Sequence, residues 1–119
     1  MKRSVIQEKS YAFAIRIVKL YKLLTTDRKE FVLSKQCLRS GTAIGALVAE
    51  GVYGQSNADF LSKMNIALKE ANETLYWVEL LKDTGYISEV EFDSIHPDIT
   101  ELVKLLSSIV KTTRTKIGK

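Results

Sequence analysis

Arg39–Ser56, RSGTAIGALVAEGVYGQS, holds four of the chain's six glycines within a pattern that otherwise reads as helix. A glycine in a helix interior costs about 1 kcal/mol relative to alanine, so Gly41 and Gly45 call for a compensating contact. With Ala49 they recur every fourth residue and form a smooth stripe along one side of the helix. Such a stripe lets a neighbouring backbone come close, a device best characterised between membrane helices and carried to a helix bundle by analogy. The other use of closely spaced glycines is a phosphate-binding loop. No Gly-Lys-Ser/Thr follows them and no strand pattern precedes them, which removes that reading.

Helical periodicity extends outward from this stretch in both directions. The helix that contains it is expected over 28–52, burying Leu33, Cys37, Ile44 and Val48, with Asp27 as its cap and Glu30 completing a capping-box-like pair. Gly51 or Gly54 can take the left-handed conformation that ends it. Ser56 and Asp59 then open a third helix, 57–84, whose seam is Leu61, Met64, Leu68, Ala71, Leu75 and Val78, and Gly85 sits where a C-terminal cap belongs. Upstream, residues 4–24 carry two adjacent apolar stripes, Phe13, Ile17, Leu20 and Leu24 beside Tyr11, Ala14, Val18 and Tyr21. An ordinary surface helix hides one stripe, so the wide arc points to association between copies, with Phe13, Ile17, Leu20 and Leu24 as the candidate interface. The fourth helix is expected over 88–113 from a cap at Ser88. Phe92, Ile95, Ile99, Leu102, Leu106 and Ile109 keep their phase across Pro97, which favours one helix bent where the bond to the Asp93 carbonyl is lost; two helices meeting at Pro97 is the alternative. Four helices of similar length on short connections pack most simply as an all-α, antiparallel up-down-up-down bundle, a single domain spanning 1–119.

Composition agrees with helix: 45% hydrophobic and 27% charged residues, with one proline in 119 residues. A single cysteine, Cys37, rules out an internal disulfide framework. The N-terminal residues lack the pattern of an export signal, and no apolar run reaches the length of a membrane span, so a cytoplasmic protein is expected. Charge is unevenly spread. Residues 1–26 carry six bases and one acid, 57–101 three bases and ten acids, and 102–119 five bases and no acid. Lys9, Arg16, Lys19 and Lys22, with Lys111, Arg114, Lys116 and Lys119 of the basic tail 111–119, are therefore the candidate nucleic-acid-binding groups. Antiparallel helices also arrange such charges as mutual pairs and solvated faces, and that plainer reading is preferred.

Catalytic constellations are poorly supplied. A bundle di-iron site needs two Glu-x-x-His pairs, and the only histidine, His96, has no glutamate three positions before it. Cys37 has no second histidine to orient or activate it and reads as a small core residue. Glu70 and Glu73 are expected to meet bases such as Arg39 across the bundle. Tyr76, Trp77 and Tyr86 can stack on bases, but they lie in the acidic third of the chain, which favours burial in the core or between subunits. No catalytic residue, metal or cofactor is expected.

RSGTAIGALVAEG, GQSNADF and IALKEANETLYWVELLKDTGYI resemble the small bacterial four-helix bundle proteins named for intervening sequences in 23S ribosomal RNA genes, over nearly the whole chain. The resemblance implies a left-handed four-helix bundle that assembles as a ring-like homopentamer without known catalytic activity. A more remote similarity is to the accessory variability determinant proteins of diversity-generating retroelements, basic pentameric bundles that bind nucleic acid and a reverse transcriptase. At one position the chain departs from the family: Leu47 stands where asparagine is usual, so any polar contact that asparagine makes is lacking. The family name records where its genes were found and does not establish RNA binding. Two functions thus follow as expectations, a homo-oligomeric module for a protein partner and, alternatively, an RNA-binding ring.

Overall fold

In the computed structural model, which describes residues 3–118, four helices follow one another: α1 (Val5–Thr26), α2 (Leu33–Val52), α3 (Asn57–Asp83) and α4 (Glu89–Lys116). Local chemistry sets most of their ends. Ser4 with Gln7, and Ser88 with Glu91, form capping boxes at the starts of α1 and α4, and the Ser56 hydroxyl accepts from the Asp59 amide at the start of α3. Beyond α3, Gly85 takes φ +82. Tyr86 N donates to Leu81 O at 2.9 Å and Gly85 N to Lys82 O at 3.0 Å, the bond pair of a Schellman closure.

The start of α2 differs from expectation. Asp27 does not cap it but ends α1, donating its N–H to Leu23 O at 2.9 Å, and Lys29 turns the chain with φ +55. The cap falls to Glu30, whose carboxylate accepts from the amides of Val32, Leu33 and Ser34 at 3.1, 2.9 and 2.5 Å. Burial alone would raise the Glu30 carboxyl, yet these donors outweigh it and hold it below the ordinary range. Residues 28–32 are therefore a linker, and the helix opens five residues later than the periodicity suggested. Gly51 and Gly54 are also not left-handed; among the described residues only Lys29, Gly85 and Gly118 are. Gly51 instead lets α2 pass α3, since a Cβ there would stand 2.6 Å from Met64 Cε.

α4 runs unbroken through Pro97. The proline faces solvent, so its missing N–H and displaced carbonyl strand nothing in the core. One residue beyond the freed Asp93 carbonyl, Ser94 O accepts from Arg16 Nη1 at 2.9 Å.

The helices pack as neighbours in chain order, with α4 returning to α1 along the least contacted seam. Paired residues run in opposite directions, Arg39 of α2 beside Glu73 of α3 and Glu50 beside Lys63, which makes adjacent helices antiparallel. Ile17, Leu24, Ile44, Met64, Leu81, Ile99, Leu102 and Leu106 fill the axis. The glycine stripe lies against α1: a Cβ on Gly41 would stand 2.7 Å from Ile17 Cγ1, and one on Gly45 3.2 Å from the Ser10 carbonyl oxygen. Ala49 lies beyond this close approach and is exposed.

This approach corrects the expected interface. Phe13, Ile17 and Leu24 are 2%, 1% and 0% exposed within the single chain, and Leu20 is half-buried at the edge of the same core. The glycines draw α1 onto α2 with this stripe turned to the bundle axis. The adjacent stripe is the one left open, with Tyr11 55% and Val18 37% exposed.

Candidate functional site

Two surface features flank α1. The first is its outer face beside α2. Tyr11, Ile15 and Val18 are exposed there, as are Val52 and Tyr53 at the end of α2. Gly45 and Ala49 add no bulk between them, and a depression of about 110 Å³ runs past Gln7, Tyr11, Ala49 and Tyr53. The Arg3 guanidinium lies over the Tyr11 ring, 4.9 Å from its centre. Isolated exposed apolar residues are ordinary, but Tyr11, Ile15 and Val18 share one face of α1, and Tyr11 and Tyr53 line the same depression, which makes this face a candidate interaction surface.

The second feature is the α1–α4 seam, closed by polar clasps. Lys9 Nζ donates to Glu101 at 3.1 Å; Arg16 donates to Asp98 at 2.6 Å and to the Ser94 hydroxyl at 2.8 Å. Arg28 donates from both terminal nitrogens to the two Glu91 carboxylate oxygens at 2.7 Å, and to Tyr86 O at 2.8 Å. Arg28's hydrogen bonds, then the Ser88 amide, bring the Glu91 carboxyl down to about 2. Between the Arg16 and Arg28 clasps the helices part over a groove of about 500 Å³ with Leu20, Leu23, Ile87, Val90 and Ile95 along it.

The candidate nucleic-acid residues do not gather at one end. Lys9 and Arg16 are held by α4 carboxylates. Lys19 and Lys22 are exposed farther along α1, Lys19 beside Glu91 at the groove. Lys111, Arg114 and Lys116 are exposed on the last turns of α4. At the helical rise, Lys116 is about 38 Å along α4 from Glu91, so these two groups occupy opposite halves of the molecule. Lys119 lies outside the described residues. Antiparallel topology alone brings the two chain ends together, but Lys19 and Lys22 are too far along α1 to belong to either.

Other residues singled out by chemistry are accounted for structurally. Cys37 is buried, and burial pushes its thiol up to about 12, far from a reactive thiolate. His96 stacks on Phe92, ring centres 4.8 Å apart. Arg39 bonds to both Glu70 and Glu73, and the Trp77 indole donates to Glu73 at 3.1 Å. The Trp77 bond, together with Arg39, holds the Glu73 carboxyl below the ordinary range against some desolvation. Trp77 packs on the core, whereas Tyr76 and Tyr86 are exposed, so the expected burial of all three aromatics applies within this chain to Trp77 alone. Sequence reasoning passed over Leu23 and Val90. Their signal was being apolar while out of phase with the core stripe, Val90 standing between Glu89 and Glu91.

These features define a class first: an all-α four-helix bundle whose described residues hold no group of histidine, cysteine and carboxylate side chains able to bind a metal, and no helix long and apolar enough to cross a membrane. The particular family follows from sequence. Residues 2–108 match the family model described as 23S rRNA-intervening sequence protein, and the chain belongs to that family. It is also similar to a solved structure from Bacteroides thetaiotaomicron VPI-5482, a protein with unknown function from the S23 ribosomal protein family. That protein is 59% identical, with a TM-score of 0.88 over 90% of this chain and 96% of its own. The curated proteins contain no match. Neither description names a reaction.

Proposed function

We propose that the chain is a non-enzymatic, cytoplasmic protein-interaction module that works as a homo-oligomer, with the pentameric ring implied by its family resemblance. The observation that carries this reading is the open stripe of Tyr11, Ile15 and Val18 on α1, with exposed Tyr53, the residue that caps α2, across the shared depression from Tyr11. It joins two helices, whereas a lone bundle hides one stripe per helix. The interface is thus moved from Phe13, Ile17, Leu20 and Leu24 to the neighbouring face of α1. Light scattering on a sizing column tests it. Wild type is expected at a multiple of 13.4 kDa, and Tyr11→Glu with Val18→Glu at the monomer mass with unchanged helical circular dichroism. A wild type that is monomeric at micromolar concentration overturns the reading.

A second reading, an RNA-binding oligomer, is favoured by one observation: Lys111, Arg114 and Lys116 are exposed together and, among the described residues, pair with no carboxylate. It no longer includes Lys9 or Arg16, whose charges are matched by α4.

A further inference from the structure

The α1–α4 groove lies on a different face of α1 from the proposed subunit contact, and its construction is specific. The Arg16 and Arg28 clasps bound it along the seam. Its apolar residues are Leu20 and Leu23 on α1 facing Ile87, just before the Ser88 cap, and Val90 and Ile95 on α4, which are about 8 Å apart along the helix. Val90 is 79% exposed, the most exposed large apolar side chain among the described residues, on a helix whose first turn is otherwise charged. Nothing in local helix formation calls for an apolar residue at that position.

We infer that this groove receives an amphipathic helix from a protein partner, with apolar side chains on Leu23 and Val90 and an acidic flank against Lys19. Three properties select this occupant. First, the trough is shallow and open along its length, whereas small-molecule sites enclose most of the ligand surface. Second, its α1 side runs from Arg16 to Leu23, about 10 Å of helix, which suits apolar anchors at i, i+3 or i+4, and i+7. Third, the carboxylates nearest the groove are already matched, Glu91 by Arg28 and Asp98 by Arg16. Lys19, exposed and in no ion pair among the described residues, is the uncompensated charge lining it. A carboxylate on the incoming helix supplies the missing partner, and a lysine there is repelled. The inference names the partner chemistry for the interaction role proposed above and does not depend on the oligomer contact.

The test uses the full chain and two fluorescein-labelled helical peptides with the same leucine spacing, one flanked by glutamates and one by lysines, read by fluorescence anisotropy. The glutamate peptide is expected to bind and the lysine peptide to bind at least about tenfold more weakly. Val90→Asp, at an exposed position that leaves the core intact, is expected to weaken the glutamate peptide by about tenfold or more, and Lys19→Glu to reverse the preference. Val5→Asp, also at an exposed α1 position but outside the groove, is expected to change neither. Equal binding of both peptides, no binding of the glutamate peptide, or indifference to Val90→Asp overturns the inference. So does displacement of the bound peptide by decanoate, which assigns the groove to a small amphiphile. Light scattering of Val90→Asp separates the two proposals: a fall to monomer mass makes the groove a subunit contact and overturns only the partner-helix inference.

Discussion

Glu91 is held from two sides, by the Arg28 fork and by the Ser88 amide, which donates to it at 2.8 Å. Its carboxyl lies at about 2 when folded against 4.5 ordinarily, so folding favours its ionised form. A depressed carboxyl contributes its full stability above the unfolded value and loses it as pH falls through the folded one. The thermal midpoint is therefore expected to fall as pH drops from about 4.5 to about 2, with Glu30 and Glu73, also depressed, contributing to the same slope. In Glu91→Gln that slope becomes shallower, and stability at neutral pH drops by about 1–2 kcal/mol as the charge-assisted bonds to Arg28 are lost. Circular dichroism melts across the acid range check both; an unchanged slope assigns the acid transition to Glu30 and Glu73 instead. The Arg28–Glu91 pair was not legible in the chain. Glu91 shows in the sequence as the third helical residue after Ser88, but its ion pair joins residues 63 positions apart.

At the scale of helices, the glycines of α2 are the clearest case of sequence pattern becoming geometry. Gly41→Ala gains about 1 kcal/mol in helix propensity, but its methyl group enters the space of Ile17 Cγ1 and Cγ2, at 2.7 and 2.9 Å. Those carbons sit on the branched Cβ of a helical isoleucine, whose χ1 is restricted, so the side chain cannot swing aside. A net destabilisation of about 1–2 kcal/mol is expected in urea titrations, and the increment due to Gly41→Ala should be smaller when measured in an Ile17→Ala background, which removes the clashing carbons. A stabilised Gly41→Ala contradicts the close approach. Helix ends were readable where a serine cap or Gly85 marked them, and so was the continuity of α4, because apolar phase survives Pro97. The start of α2 was misread because Asp27 and Glu30 both satisfy capping patterns. The choice depends on Lys29 adopting a left-handed turn, which no local signal announces. The two stripes of α1 were visible too, but which one faces inward depends on where the glycines place α2.

For the molecule as a whole, sequence showed basic ends and an acidic middle but not their matching, because the matching depends on helix register. Lys9 meets Glu101, Arg16 meets Asp98 and Arg28 meets Glu91, so two bases of the N-terminal segment and the Arg28 that follows it are neutralised against α4. Any nucleic-acid affinity is therefore expected to rest on the far end of α4. Titrating a labelled structured RNA at two salt concentrations, the triple variant Lys111→Ala, Arg114→Ala, Lys116→Ala should lower affinity and reduce the salt slope by roughly two to three, while Lys9→Ala leaves the slope unchanged. Absence of binding by wild type at low salt retires the nucleic-acid reading.

The register has one more effect. Glu101 lies beside Lys9, and α4 continues from there to Lys116 while α1 reaches back only to Val5. The last turns of α4 consequently overhang α1 by about 16 Å at one tip of a body 47 Å long. In the ring proposed above, copies whose bundles run along the rotation axis would all point the same way and carry every overhang on one rim. The two rims of such a ring would differ in shape, Lys111, Arg114 and Lys116 projecting on the overhangs of one while Lys19 and Lys22 lie against the bundle toward the other.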